Sequence, residues 1–170
     1  MKRRLLACLA IAGLCLGAEV TPAVAATPRQ RLANVIVPAY CRMPAQRLHN
    51  GQTAAKYLPA SGGIEFRYAA APISVHLGTS GTQLLAQYRC GAGGVSWPEV
   101  LVLYSSTNRF MSSVQLARYA PVSEHVQVDS WRAISGHRVS VSWRSYDGCC
   151  YNIRRHRSTL TLSGTSLRLR

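Results

Sequence analysis

The residues best suited to chemistry in this sequence are arginines close to one another near its C-terminus. Arg154, Arg155 and Arg157 fall within four positions, and Arg168 and Arg170 follow shortly after them. A guanidinium group presents its donors in a planar fork that matches the oxygens of phosphate and carboxylate groups. We therefore predict that these five side chains bind an anion, with a solvated hairpin tip that only keeps the protein soluble as the alternative.

A second group of reactive side chains surrounds one histidine. Glu124, His125, Asp129 and Ser130 include the residue types of a hydrolase triad, although a triad is recognised by its geometry and not by its order in the sequence. The sequence has no Gly-x-Ser-x-Gly elbow, and no pair of its five histidines has the spacing of metal ligands. A hydrolase site in the region 124–137 is thus an alternative hypothesis, and we expect neither a metal nor a cofactor.

The cysteines indicate cross-links. After the N-terminal segment discussed below, the sequence contains Cys41, Cys90, Cys149 and Cys150, which suggests two disulfides in an exported protein. Adjacent residues on a strand point to opposite faces, and a ring between them is strained. Separate bridges from Cys149 and Cys150 to Cys41 and Cys90 are therefore favoured over a Cys41–Cys90 bridge with a vicinal pair.

The first residues have the order of an export signal. A basic start at Met1-Lys2-Arg3-Arg4 precedes an apolar run over 5–17 and small residues over 18–26. The apolar run is about a dozen residues, short of the roughly 20 that a membrane-spanning helix needs. We predict a signal peptide at 1–26, cleavage after Ala25 or Ala26, no transmembrane segment in the mature chain, and a secreted or cell-envelope location.

The charge of the predicted mature chain restricts its partners. Removal of 1–26 takes away Lys2, Arg3, Arg4 and Glu19, a net charge of +2, so that the formal charge of +14 becomes +12. Such an excess of positive charge favours an anionic cell-envelope polymer, a lipid headgroup or an acidic protein as the partner. The sequence contains no nucleic-acid fold motif, and we expect no specific nucleic acid partner.

Alternating apolar residues and frequent turn signals predict an all-β fold, an antiparallel β-sandwich or open barrel, in one disulfide-bonded domain. Within it, 27–63 forms a loop-rich N-terminal segment with a possible short helix at 29–35, and 64–170 forms the β-rich core. The predicted strands are 64–69, 73–77, 83–90, 99–104, 110–116, 125–134, 138–146, 158–162 and 165–169.

The clearest local prediction is a hairpin over 125–145. Val126 and Val128 alternate, but Trp131 is out of phase with them. A bulge near Asp129 and Ser130 would place all three apolar side chains on the inner face.

Two stretches of the sequence resemble a known group of proteins. Gly91 to Tyr104, with its Gly-Gly-Val-Ser-Trp-Pro-Glu-Val core, and Trp143 to Tyr151, which reads Trp-Arg-Ser-Tyr-Asp-Gly-Cys-Cys-Tyr, resemble small secreted or lipidated envelope proteins of actinobacteria that have no assigned activity. The resemblance implies export and a disulfide-bonded β domain, and it supplies no catalytic residues. Such proteins carry a Gly-Asp-Gly turn similar to a calcium loop, whereas the corresponding segment 76–83 has no carboxylate.

These observations favour a secreted, non-enzymatic binding or envelope-associated protein that uses an arginine-rich face to bind anionic polymers or headgroups. The alternatives are the secreted hydrolase and a protease inhibitor or host-directed effector, for which a rigid cross-linked scaffold is suitable.

Mapping of peptides by mass spectrometry without reduction tests the predicted export and cross-links together. In protein purified from the culture medium, we expect an N-terminus near Thr27 and separate bridges from Cys149 and Cys150. An intact Met1 or four free thiols would contradict the prediction.

Overall fold

The computed structural model describes residues 25–40, 44–53, 63–66, 71–77, 81–91, 99–120, 125–134, 137–147 and 151–170. One short helix, α1, covers Pro28–Leu32, and a 3-10 turn covers Leu116–Tyr119. The strands are β1 (Ile36–Val37), β2 (Gln46–Arg47), β3 (Gly63–Phe66), β4 (Ile73–Val75), β5 (Gln83–Gly91), β6 (Val100–Tyr104), β7 (Phe110–Gln115), β8 (His125–Ile134), β9 (Arg138–Asp147), β10 (Tyr151–Ser163) and β11 (Ser166–Leu169).

The predicted all-β fold is confirmed, and its strands form antiparallel sheets. Sheet I has the order β3-β5-β6-β7, with β4 also paired to β5, and sheet II has the order β11-β10-β9-β8. Strands β1 and β2 form a separate small ribbon. Every predicted strand is present, whereas β1 and β2 are too short to give a periodic signal in the sequence.

Sheets I and II pack face to face as a β-sandwich. Their shared core contains buried side chains from both sheets, such as Leu101 and Leu103 on β6 and Val139 and Val141 on β9. At one edge of the sandwich, the Leu167 amide on β11 donates to Ser112 Oγ on β7 at 2.9 Å. The two sheets are therefore joined by a hydrogen bond as well as by apolar contact.

The opposite edge is joined through the hairpin of β8 and β9. Trp131 Nε1 donates to the carbonyl of Ala71 at 3.2 Å, and His137 Nδ1 lies 2.9 Å from the carbonyl oxygen of His76. Both carbonyls lie in the segment 71–77, which contains β4. Hydrogen bonds therefore join the two sheets at both edges of the sandwich.

The central strands β5 and β6 of sheet I are buried on both faces. The face turned away from sheet II carries Leu84, Val102 and Tyr104, and these residues pack against Leu32 of α1 and Leu48 of the N-terminal segment. This double burial explains why β6 reads as a continuous apolar run, Val-Leu-Val-Leu-Tyr, without alternation. The N-terminal segment thus forms a third layer over the sheet.

Helix α1 starts with a capping box that replaces missing backbone partners. The backbone amide of Gln30 donates to Thr27 Oγ1 at 3.3 Å, and the backbone amide of Thr27 donates to the side-chain oxygen Oε1 of Gln30 at 2.8 Å. A helix of this length is unstable alone, so the burial of Leu32 against sheet I is what holds it in place.

A pair of tyrosines links sheet I to this third layer. The hydroxyl groups of Tyr88 and Tyr104 lie 3.0 Å apart, and the Tyr104 hydroxyl donates to the carbonyl of Ile36 at 3.2 Å. Burial raises the pKa of both phenols, since the charged phenolate is poorly solvated there.

The predicted bulge in β8 is confirmed. The pairing of β8 with β9 shifts between Val128 and Ser130, and Trp131 packs against the shared core together with Val126 and Val128. Oε2 of the buried Glu99 accepts the Val128 amide at 2.6 Å and also accepts the side-chain amide of Gln87. A carboxylate that precedes β6 in sheet I therefore holds the bulge of sheet II.

Replacement of Glu99 tests this tie between the sheets. Glu99→Ala leaves two buried donors without their acceptor, and we expect a loss of about 3 kcal/mol in the free energy of unfolding. Glu99→Gln keeps one carbonyl oxygen, which can occupy the position of Oε2 and accept both amides, so that variant should lose about 1 kcal/mol. Urea unfolding measures both values, and equal losses would contradict the proposed geometry.

The tyrosine pair predicts a loss of stability in alkali. In the unfolded chain both phenols release their protons near pH 10, whereas the raised pKa values keep them protonated in the folded state. Their contribution is therefore complete below about pH 10 and is lost as pH rises further. A Tyr88→Phe, Tyr104→Phe double variant should be less stable at neutral pH but should show a shallower decline from about pH 9 to pH 11. Urea unfolding measures the free energy of unfolding of both proteins at each pH. If the two values fell in parallel as pH rose, this explanation would be wrong.

Candidate anion-binding face

The face of sheet II that points away from the sandwich core is strongly basic. We call its outward-pointing residues the basic face. In β9, the inward side chains of Val139, Val141 and Trp143 are buried, so that Arg138 and Arg144 point outward. Strand pairing adds further arginines to the same face, which then comprises Arg132, Arg138, Arg144, Arg155, Arg157, Arg168 and Arg170.

Cross-strand register brings these arginines together. Arg144 on β9 is directly opposite Arg155 on β10, and Ser142 is opposite Arg157. Like charges at directly opposite positions destabilise a sheet. An anion bound between the strands would offset that repulsion.

Between described residues, an ion pair of Asp129 with Arg144 reduces the positive charge within this face. Asp129 Oδ1 lies 3.1 Å from Arg144 Nε, with both side chains partly exposed. Asp129 is the one carboxylate among the described residues of the basic face. The face consequently retains a large excess of positive charge.

The structure separates the predicted arginines into two groups. Arg155, Arg157, Arg168 and Arg170 lie on the basic face, whereas Arg154 pairs with the inward-facing Ser145 and points to the other face of β10. The alternative prediction of a hairpin tip is wrong, because Arg154 to Arg157 lie within β10 and pair with β9.

Three members of the face were absent from the predicted cluster. The alternation of apolar and polar residues along β9 places Arg138 and Arg144 on its polar face, but alternation alone does not show which strands adjoin that face. Arg132 joins it only because the bulge reverses the alternation after Val128. Pairing between distant segments is therefore what assembles the complete face.

Short hydroxyl side chains create a depression between the arginines. We call Ser130, Ser140 and Ser142 the hydroxyl trough. Its cavity of about 370 Å³ is lined by Ser130, Trp131, Arg132, Ser140, Ser142 and Arg157. A neighbouring cavity of about 380 Å³ is lined by Asp129, Ser142, Trp143, Arg155, His156 and Arg157.

The inward face of β10 fixes the backbone that carries two of the arginines. The ring of His156 stacks on Trp143 at 3.9 Å between centroids, and His156 Nε2 lies 2.8 Å from Ser145 Oγ. Trp143 Nε1 donates to Ser158 Oγ at 3.2 Å. Because His156 is anchored inward, Arg155 and Arg157 on either side of it are held outward.

The described candidates for a hydrolase triad do not meet. The His125 ring stacks on Tyr146 at 5.4 Å, and Asp129 pairs with Arg144. Ser130 is five residues from His125 on the same strand, a separation of roughly 15 Å. Glu124 lies outside the described residues.

The predicted disulfides are also outside the described part of the chain. Cys41, Cys149 and Cys150 are not among the described residues, and for Cys90 the structure describes only a backbone position in β5, opposite Ile64. Both proposed connectivities therefore stay predictions.

No group of three or more His, Cys, Asp or Glu side chains in the described part of the chain could hold a metal ion. Among the same residues, no helix has the length and hydrophobicity needed to cross a membrane.

Comparison of the chain with protein-family models, curated proteins and solved structures found no match.

Proposed function

We propose that this chain is a non-enzymatic binding protein of the cell envelope or the extracellular space, and that it holds anionic polymers on its basic face. The observation that carries the proposal is the strand register of sheet II, which collects seven arginines on one outward face with a single described carboxylate. The predicted export signal and the resemblance to envelope proteins agree with the location.

The layout of the face suits an extended ligand better than a small one. Neighbouring positions in a sheet are separated by about 4.8 Å across strands and about 6.8 Å along a strand. One polymer chain with regularly spaced charges can therefore contact several guanidinium groups at once. Each contact also releases counterions, so that binding should weaken steeply with salt.

Sheet II is a suitable platform because its other face is already occupied. Its inward side chains form the shared core with sheet I, whereas the arginines of the basic face are exposed apart from the half-buried Arg144. The backbone of β9 and β10 is hydrogen-bonded on both sides, which holds the arginines at fixed separations. A rigid array loses less conformational entropy when its ligand binds.

Arginine substitutions on opposite faces of β10 test the proposal. Arg155→Ala and Arg157→Ala should each weaken binding of inorganic polyphosphate about tenfold and reduce the salt dependence by about one released ion. Arg154→Ala is the matched control, since it removes the same charge from the same strand on the other face. The dissociation constant of this variant for polyphosphate should stay within about twofold of the wild-type value.

Titration at several salt concentrations measures these effects. Equal weakening by Arg154→Ala and Arg157→Ala would contradict the basic face and indicate attraction by net charge alone. Asp129→Asn provides a change of opposite sign, because it removes the carboxylate that neutralises Arg144. That variant should strengthen polyphosphate binding about two- to fivefold.

A further inference from the structure

We infer that the hydroxyl trough is a subsite for one sugar unit with an oxyanion group, and that the natural polymer is an acidic polysaccharide. This inference rests on the proposed function and specifies the class of its ligand. The serine hydroxyls that line the cavity support it, in addition to the positive charge of the basic face.

The cavity of the hydroxyl trough has the size of a site for one sugar ring. Its volume of about 370 Å³ falls near the lower end of the range for small-ligand sites, about 300 to 1,000 Å³. The trough is recessed because serines occupy positions between longer arginine side chains. A single ring can enter such a depression, whereas the flat surface of a bilayer cannot reach the serine hydroxyls.

The serines of the trough can form hydrogen bonds that the arginines cannot. A serine hydroxyl both donates and accepts, whereas a guanidinium group only donates. Phosphate groups at neutral pH mainly accept, so a polyphosphate would use the arginines and leave the acceptor capacity of Ser140 and Ser142 unused. A sugar unit with an oxyanion offers hydroxyl groups to the serines and negative oxygens to Arg132 and Arg157.

Trp131 fixes the part of β8 that borders the cavity. Its ring turns to the inner face, packs against the shared core, and donates from Nε1 to the carbonyl of Ala71. Ser130 and Arg132 on either side of it are therefore held outward, toward the cavity. A hydroxyl group and a guanidinium group thus keep fixed positions beside each other for one sugar unit.

The neighbouring cavity favours a polymer over a single sugar as the ligand. It shares Ser142 and Arg157 with the trough and continues to Arg155. A chain that leaves the trough past Arg157 therefore reaches a second guanidinium group. Adjacent cavities that share lining residues suit consecutive units of one linear chain.

Removal of hydroxyl groups without a change in charge tests the subsite. A Ser140→Ala, Ser142→Ala double variant should weaken binding of a galacturonate octamer about fivefold, and binding of inorganic polyphosphate should stay within about twofold. The matched control is Ser163→Ala, Ser166→Ala, which alters a cross-strand serine pair of sheet II outside the cavity. The control should leave both dissociation constants unchanged, and thermal unfolding should give similar midpoints for both variants.

Three outcomes would overturn the inference. Galacturonate binding that is unaffected by the trough variant, equal weakening with both probes, or tighter binding to phosphatidylglycerol vesicles than to the galacturonate octamer would each exclude a sugar subsite. The proposed function would survive the first two outcomes if Arg157→Ala still weakened polyphosphate binding. If Arg157→Ala had no effect on either probe, the proposed function would fail as well.

Discussion

One buried carboxylate controls the geometry of the surface that we propose as functional. Glu99 Oε2 accepts the Val128 amide at the bulge, which has lost its regular place in the ladder between β8 and β9. The extra residue shifts the alternation, so that Trp131 turns inward and Arg132 turns outward. Without the shift, every later side chain of β8 would change face, and the hydroxyl trough would lose one wall.

The two sheets have different roles because they differ in what covers them. Sheet I is buried by sheet II on one face and by the N-terminal layer on the other, and its tyrosine pair secures that layer through Ile36. Sheet II uses one face for the core and exposes the other. Sheet I thus contributes side chains to two apolar clusters, whereas sheet II contributes to one and carries the arginines on its other face.

Sequence patterns predicted the bulge and most of the strands, because these features depend on local alternation such as that of Val126, Val128 and Trp131. They did not predict which arginines share a face, since this depends on pairing between segments that are distant in the sequence. Arg154 and Arg155 are neighbours of identical type, yet β10 turns them to opposite faces. The role of Glu99 was equally hidden, because its partners lie on β5 and β8.

The opposition of Arg144 and Arg155 has an evolutionary consequence. Asp129 already pairs with Arg144, so replacement of Arg155 by a neutral residue would relieve repulsion and leave that ion pair intact. Selection for a durable fold alone would therefore not maintain Arg155. Under the proposed function the ligand would act as the counterion of Arg155, and in a lineage that abandoned the ligand this position is where we would expect the sequence to drift first.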